Sequence, residues 1–110
     1  MKVSYIFATP NSQKILDTMI LPQLEEKRHG ATVVGMFFLM DNTFFLLKGT
    51  DMATRLKEVQ DETGMLLMAC DQCCFERHIA DSLVDGARIG CFPDLYAALE
   101  PAAPDQVITL

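Results

Sequence analysis

Four cysteines stand at positions 70, 73, 74 and 91, and three of them fall in one run, Cys70-Asp71-Gln72-Cys73-Cys74-Phe75-Glu76-Arg77-His78-Ile79. A thiol attacks or binds metal as the thiolate, and the unpaired N–H groups at a helix start lower its pKa from about 8.5 by one or more units. Cys70, at the head of the helix expected here, is placed for that effect. Arg77 lies one turn beyond Cys73, and His78 one turn beyond Cys74. Seven residues span roughly 10 Å of helix axis, so Arg77 cannot pair directly with Cys70.

Three chemistries could use this set. A zinc site needs four ligands, and Cys70-x-x-Cys73 supplies one familiar pair. With no second CxxC or HxxxH in the chain, Cys74, His78 or Cys91 would have to complete it. A dithiol redox pair is suggested by CxxC in an α/β protein, although the Asp-Gln spacer has no proline and the motif follows a third strand, not a first. The last is sulfur transfer, in which a thiolate accepts a sulfur atom as a persulfide and passes it to another thiol. The ordinary state of a free cysteine is a small buried hydrophobe. Helical phasing argues against that state, because Phe75, Ile79 and Leu83 share one stripe while Cys70, Cys73, Cys74, Arg77, His78 and Asp81 occupy an arc of roughly 140° opposite.

These residues need elements to hold them. Near-continuous apolar runs at 2–8, 32–40, 65–69, 87–92 and 106–110 read as strands covered on both faces. Helical patterns lie between them at 12–28, 51–62, 73–84 and 93–99. Asn11-Ser12 and Thr50-Asp51 offer N-caps, Gly30 and Gly64 offer stops, and Pro93 suits a first turn. Pro22 predicts a kink or a split in the first helix. The alternation implies a single α/β domain over 1–110, a three-layer sandwich whose mostly parallel sheet has about five strands with helices on both faces. Ligands of such sheets bind outside the carboxyl ends of the strands. Thr9 to Ser12, Asp41-Asn42-Thr43, Cys70 to Cys73 and Cys91-Phe92-Pro93 occupy those ends, which gathers the thiols at one edge. Asn11 and Asp41 become possible accessory residues, with an exposed turn as the plainer role for Asp41. Cys91 closes a buried strand and reads first as core. His29, beside Gly30, reads as serving a helix end or solvent, and Phe44-Phe45-Leu46-Leu47 as either a partner surface or packed interior.

Composition narrows the classes further. Fifteen acidic against nine basic side chains give a formal charge of -6, which offers no standing attraction to nucleic acid or anionic lipid. The longest apolar stretch, 31–47, is interrupted at Asp41-Asn42-Thr43, short of the roughly 20 residues that a membrane helix needs. The apolar run at the N-terminus is too short for a signal peptide, so a cytoplasmic, reducing setting is expected, with free thiols in preference to structural disulfides. A 110-residue chain can bury roughly two thirds of its unfolded surface and needs no staples.

On Phe37-Phe38-Leu39-Met40-Asp41, Lys48-Gly49, Ala69-Cys70-x-x-Cys73-x-x-x-Arg77-x-Ile79, Ile89-Gly90 and the closing Asp105 to Thr109, the chain resembles the DsrE/DsrF-like family, which includes YchN-type proteins and the TusBCD sulfur-relay subunits. The resemblance implies a parallel α/β sandwich and a sulfur carrier or sulfurtransferase-like activity, with Cys70 accepting sulfane sulfur. Cys73 is then a resolving or second sulfur-carrying thiol, and Arg77 supports the site. It also implies a trimer or hexamer, sulfur donor and acceptor proteins as partners, and no cofactor. His78 stands where a glycine is common and Cys74 is an addition, which keeps open metal binding by Cys70, Cys73, Cys74 and His78, dithiol chemistry, or a non-catalytic scaffold.

Overall fold

The computed structural model describes residues 1–110. Strands β1 (Lys2–Phe7), β2 (Thr32–Phe38), β3 (Leu66–Cys70), β4 (Ala87–Gly90) and β5 (Gln106–Thr109) form one sheet in the order β4-β3-β2-β1-β5. Every pairing is parallel. Each apolar run of the sequence became a strand; four end short of the expected carboxyl end, and the third starts one residue later and runs on to Cys70.

Period-two alternation sends successive side chains to opposite faces, and both faces of the central strands are apolar. Val3, Tyr5, Phe7, Met36, Phe38, Leu67 and Ala69 join the larger core, which is closed by Leu16, Ile20 and Leu21 of the first helical segment and by Leu56 and Val59 of α3 (Asp51–Thr63). Phe37, Met68 and Cys70 point the other way, toward Leu95 and Leu99 of α5 (Phe92–Leu99). The sheet is therefore the middle of three layers, thick on one side and thin on the other. Phe7, Phe37 and Phe38 are fully buried, each stabilising the fold by about 1.5–3 kcal/mol relative to exposure.

The first helical segment splits as Pro22 requires. It runs through α1 (Ser12–Ile15), a π-helical turn (Leu16–Ile20) and α2 (Leu21–Glu25), with the proline in the first turn of α2. A proline inside the segment lacks an N–H and crowds the carbonyl one turn back, and the wider turn absorbs the mismatch. Thr50 caps α3, its Oγ accepting from Ala53 N–H at 3.2 Å, and Gly64 ends that helix in the left-handed conformation at φ 74°. Two expectations fail in this half of the molecule. Asn11 precedes α1 without a side-chain capping bond. His29 does not merely face solvent, because its Nε2 meets the Tyr5 hydroxyl at 2.9 Å and its ring packs edge-on against Tyr5.

Candidate functional site

The cysteines lie where β3 turns into α4 (Asp71–Glu76). Cys70 is both the last strand residue and the N-cap, and its Sγ accepts the Cys73 N–H at 3.4 Å. The helix then stops after six residues, well before the expected end near Val84. His78 N–H bonds the Phe75 carbonyl at 3.2 Å, and Ile79 N–H bonds the Cys74 carbonyl at 3.0 Å. His78 adopts a left-handed φ of 56°. These features together are a Schellman closure, in which a residue in the left-handed region turns the chain and the next one packs back on the helix. Ile79 and Cys74 meet in the larger core as that motif demands.

This early stop overturns the helical phasing. Ile79 is buried by the turn and not by a continuing stripe, whereas Phe75 is 57% exposed. Cys70, Cys73 and Cys74 are 7%, 4% and 0% exposed, so all three are buried. They do not share a face. Cys74 fills the larger core, while Cys70 and Cys73 belong to the smaller cluster on the α5 side.

Cys73 has a donor that no sequence pattern announced. Met40, first residue of a 3-10 helix (Met40–Leu46), donates its backbone N–H to Cys73 Sγ at 3.2 Å. Met40 is held at φ 55°, an uncommon conformation for a side-chain-bearing residue. One residue later, Asp41 Oδ1 accepts from Arg77 Nε at 2.8 Å, and Arg77 Nη1 donates to the Cys73 carbonyl at 3.2 Å. Arg77 therefore ties the 3-10 helix to the end of α4 and touches the backbone of Cys73. Asp41 is exposed, as expected, but its neighbours Asn42 and Thr43 are buried, contrary to a fully exposed turn. Asn42 Nδ2 donates to the carbonyls of Phe7 and Thr9, lacing the β1 end to this edge. A cleft of about 220 Å³ opens beside these groups, lined by Ala8, Thr9, Pro10, Met40, Asp41 and Asn42.

Burial sets the electrostatics. Cys70 is pushed up to about 11, first by desolvation and then by the hydrogen-bonded Cys73 side chain, while the Cys73 N–H pulls in the opposite direction. The expected lowering at the helix start is therefore reversed: a six-residue helix and one N–H do not outweigh loss of water. Cys74 is also pushed up to about 11 by burial, with Arg77 opposing. The Asp41 carboxylate raises the Arg77 guanidinium further above its already high value.

Of the remaining sequence candidates, Cys91 follows the strand that pairs with β3. Gly90 pairs in register with Cys70, which places Cys91 at the head of the next strand end. There Cys91 is half-buried and caps α5, its N–H donating to Asp94 Oδ2 at 2.8 Å. His78 is exposed, and its backbone role at the turn accounts for its position. No three His, Cys, Asp or Glu side chains converge as a metal site, and the set Cys70, Cys73, Cys74 and His78 is not brought together. Asn11 is exposed and makes no capping bond. Of the Phe44 to Leu47 segment, Leu46 is fully buried and Phe45 packs edge-on against Phe38, which leaves Phe44 as the exposed member.

The molecule is thus a parallel α/β sandwich with Cys70 and Cys73 at the carboxyl end of β3. In solved structures the same fold occurs in the ychN protein from E. coli, at 21% identity over 100% of both chains with a TM-score of 0.69. It recurs in a conserved protein of unknown function from Bacteroides thetaiotaomicron, at 14% identity over 99% of this chain and 94% of that one, TM-score 0.69. A protein of unknown function from Methanobacterium thermoautotrophicum shares it at 9% identity over 97% of each chain, TM-score 0.71. The sequence matches no family model and no curated protein. The fold is the one that the DsrE/DsrF-like resemblance implies, that of YchN and related proteins.

Proposed function

We propose that this protein is a sulfur carrier that holds sulfane sulfur as a persulfide on Cys70. The observation that carries the reading is the corner at β3 and α4, where Cys70 is the N-cap and its Sγ accepts the Cys73 N–H at 3.4 Å. A buried thiol kept protonated at neutral pH is slow to react with small oxidants. It suits a relay residue that reacts when a partner opens the edge, and sulfur donor and acceptor proteins are the partners proposed. Arg77 acts as a positioning residue, fixing the Cys73 backbone against Asp41. The cytoplasm is the proposed setting. No helix is long and apolar enough to cross a membrane.

Association into a trimer or hexamer belongs to the same reading, and exposed Phe92, Tyr96 and Val107 offer apolar surface for it. Sedimentation equilibrium checks the association; a monomer at micromolar concentration contradicts it. Sulfur loading is tested with a labelled sulfane donor, counting the label that dithiothreitol releases from reduced wild type and from C70S. Loading equimolar with the chain that C70S abolishes is expected. Equal loading of both proteins contradicts the assignment to Cys70.

A further inference from the structure

The amino end of the sheet lies the length of β2, roughly 20 Å, from the thiol edge, and it holds a separate cavity of about 240 Å³. The cavity opens beside the loop that leads from α2 into β2, near the end of α3. Its floor is apolar: Leu24, Val33, Val59 and Met65 line it, and the last three are buried. A cavity of about 150 Å³ lined by apolar side chains takes up benzene, so this one has space for a single ring and one small polar group.

Hydrogen bonding at the rim selects the polar group. The acceptors there are already engaged. The Ala31 carbonyl accepts from His29 Nδ1 at 3.3 Å, and the Met65 carbonyl accepts from Gln60 Nε2 at 3.2 Å. Thr63 Oγ1 accepts the Met65 N–H at 3.3 Å and donates to the Val59 carbonyl at 2.8 Å. His29 Nε2 is taken by the Tyr5 hydroxyl at 2.9 Å, which fixes the ring as a wall. The donors, by contrast, are free. The backbone N–H groups of Gly30 and Ala31 find no acceptor in the chain, and Lys27 is exposed and pairs with no carboxylate. A guest on this floor meets unused donors and a cation, which calls for an acceptor that carries negative charge. The C-terminal end of α3 at the same edge opposes an anion with about half a charge, against the full charge of Lys27. The short α2 adds little, because Lys27 and Arg28 N–H groups already close its Leu24 and Gln23 carbonyls.

We propose that this cavity binds a small carboxylate on an apolar body, one aromatic ring or a branched chain of similar size. The apolar body rests on Val33, Val59 and Met65, and the carboxylate faces Lys27 and the Gly30 and Ala31 N–H groups. Nothing in this binding requires the thiols.

Backbone amide shifts of isotope-labelled protein, titrated with benzoate, benzamide and benzylamine, test the site. Benzoate is expected to move the amides of Lys27 to Val33 and of Val59 to Met65 saturably, one molecule per chain, with a dissociation constant on the order of 1 mM. It should bind about threefold more tightly than benzamide, with benzylamine weaker still. In K27Q benzoate falls to the level of benzamide, and benzamide is unchanged. Ala31→Leu, which enlarges a wall residue, blocks both; if that variant does not fold, the K27Q comparison decides alone. Shifts mapped elsewhere, or no saturation by about 20 mM, overturn the site. So do benzylamine binding as tightly as benzoate, K27Q without effect on benzoate, and undiminished binding to folded A31L.

Discussion

At the scale of single residues, the thiols differ by the side of the sheet they occupy more than by their spacing. Cys74 was legible in the sequence only as a third thiol on a helical arc, and the Schellman turn moves it into the larger core with Ile79. The Met40 donor was not legible, because a backbone N–H belongs to every residue type and only the path of the chain aims it. Asp41 and Arg77 were each readable as candidates, but 36 residues separate them and their ion pair needs the folded edge. Burial of Cys70 has a measurable signature. With its pKa raised from 9.0 to about 11, alkylation of Cys70 should keep rising by about tenfold per pH unit through pH 9.0 and level near 11. Mass-resolved iodoacetamide labelling measures this, and a plateau near neutral pH would contradict it. Stability follows with a definite sign. The folded state binds these thiol protons more tightly than the unfolded chain, so stability from Cys70 and Cys74 is complete below about pH 9.0 and declines toward 11.

At the scale of elements, the strands were legible because each is a short apolar run bounded by turn residues, and the cap at Thr50 and the stop at Gly64 read correctly for the same reason. The end of α4 was hidden because its left-handed position carries histidine in place of glycine. That position explains physically why a glycine suits it. Replacing His78 with glycine removes the clash of a Cβ in the left-handed region and should stabilise the protein by about 0.5–1 kcal/mol, after the entropy that glycine adds to the unfolded chain. Urea unfolding of H78G measures the change. A loss of stability would mean that the imidazole makes a contact of greater worth than the strain. The junction of β2 with α5 gives the opposite case. A Cβ on Gly35 would lie 2.9 Å from Leu99 Cδ2 and 3.3 Å from Leu66 Cβ, all within a packed face. Gly35→Ala should therefore destabilise by about 1–3 kcal/mol through overpacking, and unchanged thermal unfolding would show that Leu99 has room to move.

At the scale of the whole molecule, the uneven layers set what is available to partners. The thick side is closed by α1, the π-helical turn, α2 and α3, and Arg55 of α3 clamps it through Asp17 at 2.8 Å and Glu25 at 2.7 Å. The thin side holds the Cys70 and Cys73 pair under α5, with Phe92 and Tyr96 exposed nearby in the sequence of that helix. The expected sandwich was legible from alternation alone, whereas this asymmetry was not, since it depends on α4 stopping early and leaving α5 as the main cover. The net charge of -6 favours partners with basic faces. Whether sulfur rides on Cys70, as proposed, is decided by intact mass with fragment mapping after exposure to a sulfane donor. One additional sulfur atom on Cys70, removed by dithiothreitol, is the expected result; no sulfur on a Cys70 shown to be reduced and open to alkylation refutes the proposal.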